Sequence, residues 1–63
     1  MLLSEQQVQI LKFLSEGKTQ KEISEILYIS KFKVHKQLQN CIKKLSAKNK
    51  TEAAVKAVIL NII

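Results

Sequence analysis

The chain has no proline, arginine or aspartate, and only one glycine (Gly17) and one cysteine (Cys41) in 63 residues. Without proline, long helices are allowed almost everywhere, while β-hairpins lack most of their usual turn residues. A lone cysteine cannot close an internal disulfide and suits a reducing compartment, so a cytoplasmic location is expected. No apolar stretch approaches the roughly 20 residues that span a bilayer. The opening MLLSEQQ has no basic region ahead of an apolar core, so no signal peptide is expected. No internal repeat or low-complexity linker is present. One histidine, no aspartate and no glycine-rich phosphate loop leave nothing that resembles a catalytic set. No second Cys or His stands at ligand spacing, so neither metal nor cofactor is expected, and enzymatic function is not.

What is present is apolar and basic. Hydrophobic residues make up 46% of the chain, too many for a disordered tail. Eleven basic residues, all lysine, against five acids leave a net charge of +6. Such a surface favours polyanions, nucleic acid first and an anionic membrane second. The length predicts one domain over 1–63, of marginal stability unless a partner helps.

The pattern predicts an all-α fold of four helices, over about 4–16, 19–27, 30–45 and 51–62. Ser4 and Gln7 form a capping box, with Leu3 and Val8 as its hydrophobic staple. Val8, Ile10, Leu11 and Leu14 make the apolar face of the first helix, and Gly17 ends it. Thr19 and Glu22 are a second capping box, and Ile23, Ile26 and Leu27 the second apolar face. Tyr28-Ile29 is a turn, and Ser30 caps the third helix. There Val34, Leu38, Cys41, Ile42 and Leu45 form a clean helical stripe. The polar SAKNK connects to a last helix in which only Lys56 and Asn61 are polar between Ala53 and Ile63. A helix apolar nearly all round needs burial on two sides. One side packs on the core. The other calls for a second copy, through Ala54, Val55, Val58, Ile59 and Ile62, or for another domain; the alternative is a terminal helix that tucks in or frays.

A short helix, a tight turn and a longer helix with a basic outer face are what a helix-turn-helix DNA reader needs. Opposite the stripe on the third helix stand Phe32, Lys36, Gln39, Asn40 and Lys43, with Lys33 and His35 on the shoulders. From Lys31 to Lys50 there are seven lysines and no acid. A solvated lysine face is the plain alternative. Two details favour function. Lys31 and Lys33 stand at a helix N-terminus, where each costs on the order of 0.3–1 kcal/mol, and Lys21 repeats the misplacement in the second helix. Lysines at helix starts are placed to meet phosphates. Gln39 and Asn40 are amides on the exposed face, a residue type that bonds adenine at N6 and N7. Phe32 either touches a thymine methyl or sugar, or folds back on Tyr28. His35 reads a base, binds phosphate, or is merely polar.

In order and without gaps, the chain resembles the LuxR/NarL/GerE-type helix-turn-helix domain. LSEQQVQILKFLSEGKTQKEISEIL is similar to that family's L-T-x-R-E-x-x-V-L-x-x-L-A-x-G-x-x-N-K-E-I-A-x-x-L. YISKFKVHKQLQNCIKKL is similar to its x-I-S-x-x-T-V-x-x-H-x-x-N-I-x-x-K-L, and KNKTEAAVKA to its x-N-R-T-E-A-V-x-x-A. The resemblance implies a four-helix bundle without a wing, a third helix in the major groove and a dimer contact on the fourth. It places base reading on His35, Lys36 and Gln39, to which the exposed position adds Phe32. It places phosphate contact on Lys21, Lys33, Lys44, Lys48 and Lys50, to which the lysine pattern adds Lys31 and Lys43. Gln7 departs from a usual glutamate, Gln37 from a common histidine and Lys33 from a threonine. With no arginine to grip guanine, the half-sites are expected to be A·T-rich.

The expected function is sequence-specific binding of double-stranded DNA by a bacterial transcription regulator, as a homodimer, with RNA polymerase as a further partner. No membrane and no small-molecule ligand are expected for this stretch. One alternative is a module like sigma-factor region four, reading a promoter while docked on polymerase. Another is a protein-interaction module that docks through the last helix. The chain reads either as an effector piece of a longer regulator or as a small regulator of the GerE kind.

Overall fold

The computed structural model describes residues 3–63, so Met1 and Leu2, included in the expected domain, lie outside the described residues. Four helices follow one another: α1 (Glu5–Ser15), α2 (Gln20–Leu27), α3 (Lys31–Lys44) and α4 (Lys50–Ile59). No strand occurs among the described residues. This is the all-α arrangement expected.

Each start is set by a side chain that satisfies orphan amides. Ser4 Oγ accepts from Gln7 N at 3.1 Å while Gln7 Oε1 accepts from Ser4 N at 3.0 Å. Thr19 and Glu22 repeat the reciprocal pair at 3.1 and 2.8 Å. These hydrogen bonds with Thr19, backbone first, hold the exposed Glu22 carboxyl below its ordinary pKa. Ser30 Oγ accepts from Lys33 N at 3.0 Å. α4 begins one residue earlier than expected, because Asn49 Oδ1 accepts from Glu52 N at 2.8 Å and makes Asn49 the cap.

The ends are closed by left-handed residues. Gly17 (φ 88°) ends α1, with Lys18 N donating to Phe13 O at 3.0 Å. A Cβ at Gly17 would meet open space, so only the backbone conformation demands glycine. Gly17→Ala should therefore cost about 1–2 kcal/mol. Chemical denaturation checks this, and an unchanged midpoint would contradict it. α4 stops at Ile59, short of the expected 62, because Asn61 (φ 59°) turns the chain and Ile62 N donates to Ala57 O at 2.8 Å. α3 closes the same way on Ser46 (φ 53°). Tyr28 (φ 56°, ψ 41°) takes this conformation in the turn between α2 and α3, at a cost of roughly 1–2 kcal/mol for an L-residue.

The core gathers Ile10 and Leu11 of α1, Ile23 of α2, Val34, Leu38 and Cys41 of α3, Leu45, and Ala53 and Ala57 of α4. α3 packs against all three other helices, while α2 touches only α1 and α3. That narrow seat buries Ile23 but leaves Ile26 42% exposed, correcting its place in the expected apolar face of α2. Cys41 is fully buried, and desolvation pushes its thiol pKa up.

Two polar ties link the helices. Gln7, 4% exposed, donates through Nε2 to Gln37 Oε1 at 2.9 Å and accepts through Oε1 from Lys44 Nζ at 3.1 Å. It pins α1 to two levels of α3. Lys56 Nζ donates to Leu45 O and Ser46 O at 3.2 and 2.9 Å and lies 3.6 Å from Glu52 Oε1. A cation at the C-terminal carbonyls of α3 also suits the helix dipole.

Candidate nucleic-acid interface

α3 turns its stripe inward, and the remaining positions face outward. Phe32, Lys36, Gln39 and Lys43 are exposed along the outer face, with Lys31, Lys33 and His35 beside them, and Asn40 is half-buried. No acid stands in the first turn of α3. Its dipole and three cationic or aromatic side chains therefore project together from one end. Phe32 is 73% exposed and Tyr28 94%, so the phenylalanine does not fold back on the tyrosine.

A shallow groove runs along each side of this ridge. One, of about 410 Å³, is lined by Ser30, Phe32, Lys33, Lys36, Gln37 and Asn40. The other, of about 370 Å³, has His35 and Gln39 on one wall and Leu38 and Ile42 in its floor. Lys48, Asn49 and Lys50 from the start of α4, and Gln20 from the start of α2, face them. The second groove joins residues that the sequence separates widely. It sets Lys48 and Lys50 opposite His35 and Gln39, and Lys21 follows Gln20 on the same helix start.

The charge is open. Lys21, Lys31, Lys33, Lys36, Lys43, Lys48 and Lys50 are exposed and enter no ion pair among the described residues. Lys44 is also exposed, but its ammonium is drawn toward α1 by Gln7. A row of unneutralised ammonium groups around amides and an imidazole can bind phosphates and hydrogen-bond base edges.

The fourth helix divides differently from the expectation. Ala54 is 7% exposed and Ile62 packs against the core, so these two face inward. Ala54 falls on the buried side with Ala53 and Ala57. Ile62 lies beyond the helix, folded back by the turn at Asn61. Val55, Val58 and Ile59 are exposed, and Leu60, which sequence reasoning missed, joins them at 54%. A shallow apolar groove of about 360 Å³ continues this face onto α1, lined by Leu14, Ser15, Thr51, Ala54, Val55 and Val58. The Gln7–Gln37 bond was also missed. Gln7 carried a local capping signal, and nothing local marks a partner 30 residues away.

A short helix, a turn and a longer helix with a cationic outer face, braced by two further helices, define a helix-turn-helix DNA-binding domain. The sequence profile described as "Bacterial regulatory proteins, luxR family" matches residues 1–57, and the chain belongs to that family. Its relatives are described as transcription regulators. The transcriptional repressor ThaA of Burkholderia thailandensis is 49% identical over 55 residues, covering 87% of this chain and 23% of that protein. The quorum sensing-dependent regulator VjbR of Brucella abortus is 42% identical over 62 residues, 98% of this chain and 24% of the relative. The transcriptional activator SolR of Ralstonia nicotianae is 39% identical over 61 residues, 97% and 26%. The chain thus spans about a quarter of the length of these curated relatives. Both a repressor and an activator are among these relatives.

Proposed function

We propose that this domain reads a DNA duplex in the cytoplasm by laying α3 in the major groove, as one half of a homodimer. The observation that carries the reading is the outer face of α3. Exposed Lys36, Gln39 and His35 stand on a ridge whose flanking Lys31, Lys33, Lys43, Lys48 and Lys50 enter no ion pair among the described residues. Phe32, His35, Lys36 and Gln39 meet base edges. Lys21, Lys31, Lys33, Lys43, Lys44, Lys48 and Lys50 meet phosphates and supply salt-dependent affinity and register. The open apolar face of Val55, Val58, Ile59 and Leu60 supports a second copy there, since a self-complementary apolar patch suits a two-fold dimer. RNA polymerase is a further partner of such a dimer once it is on its site.

Selection of preferred sequences from random duplex DNA tests this. The expected product is an inverted repeat of A·T-rich half-sites spaced by about one helical turn, roughly 10 base pairs. Binding should weaken steeply with salt. G·C-rich half-sites would contradict the base reading, and a single unrepeated half-site would contradict the dimer. Gln39→Ala should leave the unfolding curve unchanged and relax the preference at one position, whereas equal loss on every sequence would make Gln39 a backbone contact.

A further inference from the structure

Tyr28 is the one aromatic residue among those that hold a positive φ. Ser46 and Asn61, the other non-glycine cases among the described residues, are small or amide side chains at helix ends. Asparagine tolerates this conformation, and the carbonyl of Ser46 is bonded by Lys56. Tyr28 has neither excuse. Glycine satisfies the same turn without strain, and the ring adds no packing in exchange, being 94% exposed. Its hydroxyl has no hydrogen-bond partner among the described residues. The amides of Tyr28 and Ile29 donate to Ser24 O and so explain the backbone conformation, but nothing inside the molecule explains the tyrosine side chain, which is free to act outside it.

The surroundings say on what. Tyr28 stands three residues before Lys31, so its Cα lies within about 11 Å of the Lys31 Cα. Lys31 and Lys33 project from the start of α3, which has no acid in its first turn. That cationic, dipole-positive end fits a polyanion and repels a basic partner. A phenol suits the same polyanion, since its ring packs on a sugar and its hydroxyl donates to a phosphate oxygen.

We propose that Tyr28 is a DNA-backbone contact, its hydroxyl donating to a phosphate oxygen of the strand that borders the start of α3, with the ring against the adjoining deoxyribose. The contact would position α3 without reading sequence. It rests on the placement of α3 in the major groove proposed above.

The test uses the full chain with Tyr28→Gly, Tyr28→Asn and Tyr28→Phe. Thermal unfolding is followed, together with binding to the selected duplex and to a random-sequence duplex over a salt series. Tyr28→Gly and Tyr28→Asn should melt no lower than the parent, because the strain is gone. Both should bind each duplex about three- to tenfold more weakly, the worth of one net hydrogen bond. The salt slope should stay unchanged, because a phenol displaces no counterion, whereas losing a lysine contact lowers it by about one. Tyr28→Phe should recover only the ring's share. Unchanged affinity of Tyr28→Gly on both duplexes overturns the contact and leaves the ring for a protein partner. A loss confined to one base position overturns it too, making Tyr28 a base reader. A parent chain that binds no duplex overturns the reading of α3 itself, and so is distinguishable from failure of this contact alone.

Discussion

Leu38→Ala should remove about half of the domain's stability and lower its urea midpoint in proportion. Leu38 is fully buried midway along α3, the helix that packs on all three others, so its loss opens a cavity where the elements converge. Leucine-to-alanine changes at such sites cost about 2–5 kcal/mol. At about 0.05–0.15 kcal/mol per residue, a chain of 63 residues has roughly 3–9 kcal/mol in all. The change therefore takes roughly half of the available stability. Far-UV circular dichroism against urea gives the measurement, and a midpoint equal to the parent's would mean that α3 is packed in another rotation. Leu38→Met, which nearly conserves volume, should cost less than about 1.5 kcal/mol. The selected duplex should restore part of the loss, since a ligand at about a hundred times its Kd adds about 2.7 kcal/mol to the folded state.

The double reversal Lys36→Glu with Lys43→Glu should weaken duplex binding at least about a hundredfold, equivalent to about 2.7 kcal/mol. It removes two cations from the outer face of α3 and replaces them with anions facing the polyanionic duplex. The salt slope should fall by about one, close to 0.9 for the lost phosphate contact of Lys43. Folding should change little. Lys36 is exposed in mid-helix, and Lys43→Glu, in the last turn, costs on the order of 0.3–1 kcal/mol through the dipole. Binding by fluorescence anisotropy, alongside a melting curve, separates the two effects. Retention of parental affinity in a folded double variant would move the DNA surface away from α3 and leave α4 as the docking face.

The sequence-local devices were the readable ones. Ser4 with Gln7, Thr19 with Glu22, Ser30 and Gly17 each act over three or four residues, and each marks a helix end within a residue or so. The inward stripe of α3 was equally legible, because the helical repeat alone decides which positions share a side. What escaped depends on distant chain. Gln7 reads as a cap, yet its burial and its bond to Gln37 require α1 to lie across α3. Ile26 belongs to the apolar side of α2 by spacing, but α2 has only two neighbours and leaves it in water. Ala54 and Ile62 look as available as Val55 until Ala57 and the turn at Asn61 decide which side of α4 faces in. At the interface, the ridge of α3 could be drawn from the helical repeat. The groove that sets Lys48 and Lys50 opposite His35 could not, because it exists only once α4 is seated.

The grip of Lys56 on the last carbonyls of α3 has a geometric consequence. The helix proposed to read DNA and the helix with the open apolar face are tied at one end, through a lysine that follows Val55 in α4. In the proposed dimer the two reading helices would therefore be held like the jaws of a fixed caliper, with little play between them. One base pair inserted between half-sites advances the second by about 3.4 Å and swings it by about 35° around the duplex axis. A caliper without a hinge cannot follow that swing, so operator phasing would be policed by a lysine that never touches DNA.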